Sequence, residues 1–377
     1  MNEKQKQLIL IGVSFFIIYI FVAARPIPIE TILSPRWFIS LESNYPIAAV
    51  DNIPVGQEQP KLLPFYLGGQ QGRHFGYVDE NGNFTINQAL KGNRDVSFSA
   101  DNWVEYDAIP HTLEVRNPLN QLVLKIEEGR GYPLFLDQRI FLLGSGQNSL
   151  SALNDSGAVL WTYDFAAPVT VMDAASGFVL AGLLDGTVEV LNQQGKRIFF
   201  FEPGGSRRSV IYGCAISQDG SRLAVISGID LQRFLLLERY GNENPEQSGS
   251  IEYKVIYHEF LEEGFRRPVH IEFIDNDSRI AFERQGGVGL YEIRSRTSLK
   301  LPLAGEIKEL DTVGRDRLLF IITAQGELQK HLVAVRLPGT IIIEAPFKSK
   351  NSFLGRRDSR IYVGGNMTLA SFELEKK

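Results

Sequence analysis

The hydrophobic pattern divides the chain in two. Residues 8–24 form an apolar run without a single charge, and nothing beyond residue 35 sustains an apolar stripe at helical spacing. A helix of that first length spans about 25 Å, at the short end of what crosses a bilayer. It exceeds the 7–15 residues typical of a cleavable signal core. The run predicts a transmembrane signal-anchor preceded by a short cytoplasmic tail, residues 1–7. The small residues Val22-Ala23-Ala24 keep open the alternative of cleavage before Arg25 and secretion. Residues 25–35 carry three prolines and predict an extended spacer.

From residue 36 onward, short β-branched and aromatic runs alternate with turns containing Gly or Asn, the mark of strands joined by hairpins. Three segments align without gaps: Tyr77-Val-Asp-Glu-Asn-Gly-Asn-Phe-Thr-Ile86, Ala152-Leu-Asn-Asp-Ser-Gly-Ala-Val-Leu-Trp161 and Val190-Leu-Asn-Gln-Gln-Gly-Lys-Arg-Ile-Phe199. Their glycines, Gly82, Gly157 and Gly195, lie 75 and 38 residues apart, so one unit is skipped. It is present as Leu113-Glu-Val-Arg-Asn-Pro-Leu-Asn-Gln-Leu122. Each unit resolves into four strands, for instance 169–174, 178–183, 187–191 and 197–202. Repeated four-strand units of about 40 residues predict an all-β propeller.

Units fall near 45–90, 95–127, 131–166, 167–203, 208–260, 266–302 and 305–346. From residue 350 to the end only three strands remain. The missing outer strand is supplied by residues 36–41, which closes the ring and removes the open edge. This count favours eight blades over seven, with the propeller occupying residues 36–377.

Leu150-Ser-Ala-Leu-Asn-Asp-Ser-Gly-Ala-Val-Leu-Trp161 resembles the quinoprotein-type (PQQ-like) propeller repeat, in which a small-residue strand and a Gly turn precede a strand ending in Trp. Gly177-Phe-Val-Leu-Ala-Gly-Leu-Leu-Asp-Gly-Thr-Val188 is similar both to that repeat and to the WD40-like superfamily. For quinone-dependent members the resemblance would imply a calcium-bound cofactor, often beneath adjacent cysteines. This sequence has one cysteine, Cys214, and no acidic cofactor floor, so no cofactor is expected.

Composition narrows the function further. A net charge of −5 argues against a general nucleic-acid binder. The five histidines fall in different units and never at ligand spacing, and Asp79-Glu-Asn-Gly-Asn83 has its glycine at the wrong place for a calcium loop. No metal site and no catalytic residue emerge, so the chain is expected not to be an enzyme. Cys214, within an apolar run, is expected in the core.

One pattern recurs. The connections entering the first strand of several blades carry arginine: Arg207 and Arg208, Arg266 and Arg267, and in looser settings Arg94 and Arg130. All such connections emerge on one face of a propeller. They predict a face of guanidinium groups suited to carboxylates or phosphates, or arginines that each brace their own loop. The polar insertion 241–249 would leave from the opposite face.

The sequence therefore points to a membrane-tethered propeller outside the cytoplasm. It would act as a protein–protein interaction scaffold for envelope or membrane proteins, within a larger complex. In plan it is similar to the propeller subunit of the bacterial outer-membrane β-barrel assembly machinery, although it lacks a lipid-acceptor cysteine. The alternative is a receptor or enzyme that grips a small anionic ligand at the arginine-lined channel mouth.

Overall fold

In the computed structural model, residue 16 and residues 31–42, 61–68, 73–127, 131–207, 209–241, 251–262, 264–311 and 317–376 are described. The expected signal-anchor lies outside these residues except for Phe16, as does the polar insertion beyond Gly241. Eight antiparallel sheets follow one another around a ring. We number them blades 1–8 and letter the strands a to d from the channel outward. Blade 4 shows the plan: Val169–Ala175, Phe178–Leu183, Val188–Leu191 and Arg197–Phe201, each paired with the next.

Burial follows from this layering. Strands b and c are covered on both faces, so they read as continuous apolar runs. In blade 5, for example, Leu223 to Ile226 and Phe234 to Leu237 are all essentially inaccessible. The outermost strands are half wet, and Val159–Asp164 is exposed at four of its six positions. Eight apolar clusters hold the ring together, each spanning one pair of neighbouring blades. Phe234 of blade 5 stacks on Phe282 of blade 6 with ring centroids 4.4 Å apart.

The ring closes as a strand exchange between the two ends of the chain. Thr31–Ser40 pairs antiparallel with Thr368–Lys376 and forms strand d of blade 8, outside Arg360–Gly365 and Phe353–Arg357. This strand begins at Thr31, five residues before the start expected for it at residue 36. The reason is the length of the last strand, whose backbone from Glu373 to Lys376 offers partners to residues 31–34. Pro35 cannot donate to a ladder, and the register shifts between it and Trp37.

Blade 1 has three strands among the described residues: Leu63–Leu67, Arg73–Val78 and Phe84–Leu90. Leu63 lies against Gly355 and Leu67 against Gly364, so this strand runs opposite to the neighbouring strand a of blade 8. The three are therefore strands b, c and d. The position for an earlier strand falls among residues 43–60, outside the described set.

The sequence repeat is a structural lock. Asp79, Asn117, Asn154 and Asn192 each head the hairpin between strands c and d. Each side-chain oxygen accepts backbone N–H bonds from residues two and four further on, at 2.8–3.1 Å. The aligned hairpin then docks on strand d of the preceding blade. The Trp161 indole N–H donates to the Gln193 carbonyl at 2.7 Å, and its ring leaves only 2.4 Å for a Cβ at Gly195. Trp37 repeats this toward the Glu80 carbonyl at 3.0 Å. The tryptophan thus has a counterpart, on the closing strand rather than in an adjacent unit.

Candidate functional site

Antiparallel blades give the disc two unlike faces. The b–c hairpins and the connections from strand d to the next strand a share one face, here called upper. The a–b and c–d hairpins share the other. Contacts between connection and hairpin confirm the grouping: Arg94 reaches Asp107, Ser209 packs on Gly186, and Ser206 packs on Gly228.

Among the described residues, every hairpin tip with a large exposed aliphatic side chain is on the upper face. Ile109, Leu184, Leu231 and Leu328, on blades 2, 4, 5 and 7, are 73%, 50%, 58% and 50% exposed. Apart from Tyr240, which ends strand c of blade 5 on the lower face, the other large exposed apolar side chains of the ring, such as Phe38, Val159, Leu160 and Phe260, belong to outermost strands along the rim. A scattered apolar side chain needs no explanation. Four aliphatic side chains at tips of one face, with none at the described tips of the other, form an asymmetry that neither local propensity nor repeat packing requires. Sequence reasoning missed these residues because each is a single aliphatic between polar turn residues.

The six arginines fare differently from one another. Arg94 is drawn onto its own blade, 3.2 Å from Asp107 and 3.5 Å from Glu105. Arg267 makes a forked pair with Glu283 at 2.7 and 3.0 Å, reaches Glu306 at 3.0 Å, and covers the Phe265 ring at 4.7 Å. Glu283 is fully buried, and the forked bond raises the Arg267 guanidinium above its ordinary value. These two are paired with carboxylates, Arg94 at the exposed surface and Arg267 half-buried against Glu283, as the bracing alternative describes. Arg207 and Arg266 are exposed, and among the described residues neither has an ion-pair partner. Arg130 and Arg208 lie outside the described residues. The four described arginines do not contact one another. A cavity of about 270 Å³ beside Arg267 is lined also by Glu283, Glu306 and Arg284, a balanced set rather than a cationic one.

Behind the upper face the innermost strands carry acids. Asp173 of blade 4 accepts the Ile216 N–H of blade 5 at 2.8 Å, and burial pushes its carboxyl up. Glu272 of blade 6 is raised to about 7 by burial and by nearby Asp311 and Asp173, and Glu309 of blade 7 is raised to about 7 by burial. The channel wall in these blades is therefore acidic, not arginine-lined. A glutamate with a folded-state pKa above its ordinary 4.5 binds its proton more tightly when folded. The stability it lends is complete below pH 4.5 and is lost as pH rises through about 7. Thermal melts of the wild type should fall between pH 5 and pH 8. Glu272→Gln with Glu309→Gln should recover roughly 2–4 °C at pH 8, the shift that about 2–3 kcal/mol gives in a chain of this length. Equal pH slopes in both proteins would remove these carboxyls from the account.

Two sequence candidates take structural roles. Cys214 is buried, its sulfur 4.0 Å from the Leu180 carbonyl, and burial pushes its thiol well above the ordinary value. In the expected hairpin at Asp79, one carboxylate oxygen accepts the Asn81 and Asn83 amides, and the other accepts the Asn83 side chain.

Eight blades in a closed ring, with a repeated hairpin lock in blades 1 to 4, decide the fold. A family model described as beta-propeller protein matches residues 1–377. The chain belongs to this family. An uncharacterized protein of Treponema pallidum (strain Nichols) is 26% identical over 375 residues, covering 99% of this chain and 95% of that one. The crystal structure of BamB from Moraxella catarrhalis superposes with a TM-score of 0.56 at 12% identity, covering 91% of this chain and all of that one. Citrobacter koseri AztD gives 0.56 at 14% identity, covering 80% and 88%. At such identities the likeness to both structures is one of fold.

Proposed function

We propose that this propeller is a non-enzymatic, membrane-tethered scaffold outside the cytoplasm that docks envelope proteins on its upper face. The carrying observation is the set of four uncovered aliphatic tips on that face, Ile109, Leu184, Leu231 and Leu328. A rigid closed ring is suited to this work, because its loops are presented with little ordering cost on binding. Loops held by a rigid scaffold are where contacts usually reside.

The tether fits this arrangement. Strand 31–40 runs from the lower face, where Thr31 pairs with Lys376, to the upper, where the Leu41 N–H donates to the Met367 carbonyl. An apolar anchor at residues 8–24 followed by residues 25–30 would hold the lower face within about 20 Å of the bilayer. The upper face would then point away from the membrane, toward soluble domains of its partners. Similarity in fold to BamB is consistent with an envelope role and supplies no partner by itself.

In-membrane crosslinking of the full-length chain tests the reading. Changing Ile109, Leu184, Leu231 and Leu328 together to Ser should abolish crosslinks to a reproducible partner while leaving the melting temperature unchanged. A partner crosslinked equally by both proteins would overturn the reading.

A further inference from the structure

We propose that the upper edge of blade 5 is an acidic-segment subsite: Arg207 and Arg266 flank Leu231 and receive a partner peptide carrying carboxylates on both sides of an aliphatic anchor. This rests on the docking reading and specifies the partner's chemistry.

The geometry begins with the b–c hairpin of blade 5, residues 228–232, which is clamped from both sides. On one side Ser206 packs so closely on Gly228 that a Cβ there would meet it at 3.1 Å. On the other, the Gln232 side chain donates to the Phe265 carbonyl at 3.2 Å and accepts the Phe265 N–H at 3.2 Å. Arg207 directly follows Ser206, and Arg266 directly follows Phe265. The chain at Arg207 and at Arg266, both exposed, therefore runs on either side of the hairpin whose tip, Leu231, is 58% exposed.

Charge selects the occupant. Arg94 and Arg267, which belong to the same class of connection, are neutralised by carboxylates within 3.5 Å. Among the described residues Arg207 and Arg266 have no such partner. Arg233 adds a third positive group, donating to the Pro203 and Gly204 carbonyls rather than to an acid. Among the described residues the local acids are Asp230 at the tip, Glu202 on the connection to Arg207 and Glu262 on the connection to Arg266, the last held by Lys300 at 2.8 Å. With Glu262 so paired, the three arginines stand against the two remaining acids and leave a positive spot on a protein of net charge −5. A basic segment would be repelled, and a purely apolar one would leave the guanidinium groups partly desolvated without partners. An acidic segment with one aliphatic side chain satisfies both features, since Arg forks bind carboxylates well and Leu231 supplies apolar contact.

The test is selection of short random peptides displayed on phage against the full-length chain in detergent micelles, followed by fluorescence anisotropy with the winners. Enriched peptides should carry Asp or Glu on both sides of Leu, Ile, Val or Met. Arg207→Gln with Arg266→Gln should weaken their binding about tenfold, and Leu231→Ser about fivefold, with unchanged thermal melts. Affinity should also fall as salt rises from about 50 to 300 mM. Neutral or basic winners, no enrichment, or equal binding to the variants would overturn the subsite. If the subsite fails while the four-tip Ser variant still loses its crosslinked partner, the docking reading stands without it. If that variant also keeps its partner, both fall.

Discussion

Removing residues 1–41 will cost the protein most of its stability. Strand 31–40 makes nine residue pairs with Thr368–Lys376 and places Trp37, Ile39 and the following Leu41 in a cluster with Phe65, Val78, Phe84 and Tyr362. Burying three such side chains contributes roughly 5–8 kcal/mol. That is comparable with the whole net stability of an ordinary domain, about 5–15 kcal/mol. Loss of the strand also opens the outer edge of Thr368–Lys376 and removes the indole bond from Trp37 to the blade 1 hairpin. The truncated chain should show a broadened urea transition at a much lower midpoint, or aggregate. Phe38 is the control: it lies on the same strand but faces solvent, in edge contact with Phe372 at 5.8 Å. Phe38→Ser should stay within about 0.5 kcal/mol of wild type. A truncated chain with an unchanged midpoint would show that the ring does not depend on this closure.

The second large effect separates bracing arginines from surface ones. Arg267→Ala should destabilise by about 2–3 kcal/mol, less than a fully buried pair would lose because the guanidinium is partly exposed. The physical cause is Glu283, fully buried, whose two oxygens receive the forked bond from Arg267 at 2.7 and 3.0 Å. Left without that partner, its charge has no adequate compensation. Adding Glu283→Gln to the Arg267→Ala variant should restore part of the loss, because the buried group is then neutral. Arg207→Ala and Arg266→Ala should each stay within about 0.5 kcal/mol of wild type in the same urea titrations. If all three arginines behave alike, the distinction between brace and contact is wrong.

Much of this architecture can be read in the sequence because a propeller repeats its local chemistry. The hairpin heads Asp79, Asn117, Asn154 and Asn192 are spaced by 38, 37 and 38 residues, and each does the same hydrogen-bonding job. Ring closure is legible too, since a final unit one strand short requires a strand from elsewhere. Its start at Thr31 is not, because it depends on how far the last strand extends to meet it.

The site is harder to read for a physical reason. Sequence places the arginines on one face, but whether a guanidinium is free depends on acids far along the chain. Glu283 and Glu306 lie 16 and 39 residues beyond Arg267 and are brought to it by strands of blades 6 and 7. Arg207 and Arg266 look the same in sequence and meet no such partner among the described residues. The acidic channel wall has the same origin: Asp173, Glu272 and Asp311 are distant in sequence and are gathered only by the radial order of the innermost strands.

The central claim, that the upper face is covered by a partner in the envelope, is most directly tested by site-specific labelling. Cys214 is the single cysteine and is buried, so an introduced cysteine can be read against little background. Single cysteines at Ile109, Leu184, Leu231 and Leu328 would be compared with single cysteines at Glu80, Asp155 and Gln194 on the lower face. Labelling by a membrane-impermeant maleimide would be measured in osmotically opened cells and in purified full-length protein. The account predicts that the four upper positions label at least about tenfold more slowly in cells than in purified protein, while the lower positions label alike in both, since buried interface tips exclude solvent. Upper positions that label equally fast in both settings, or protection confined to the lower face, would contradict it.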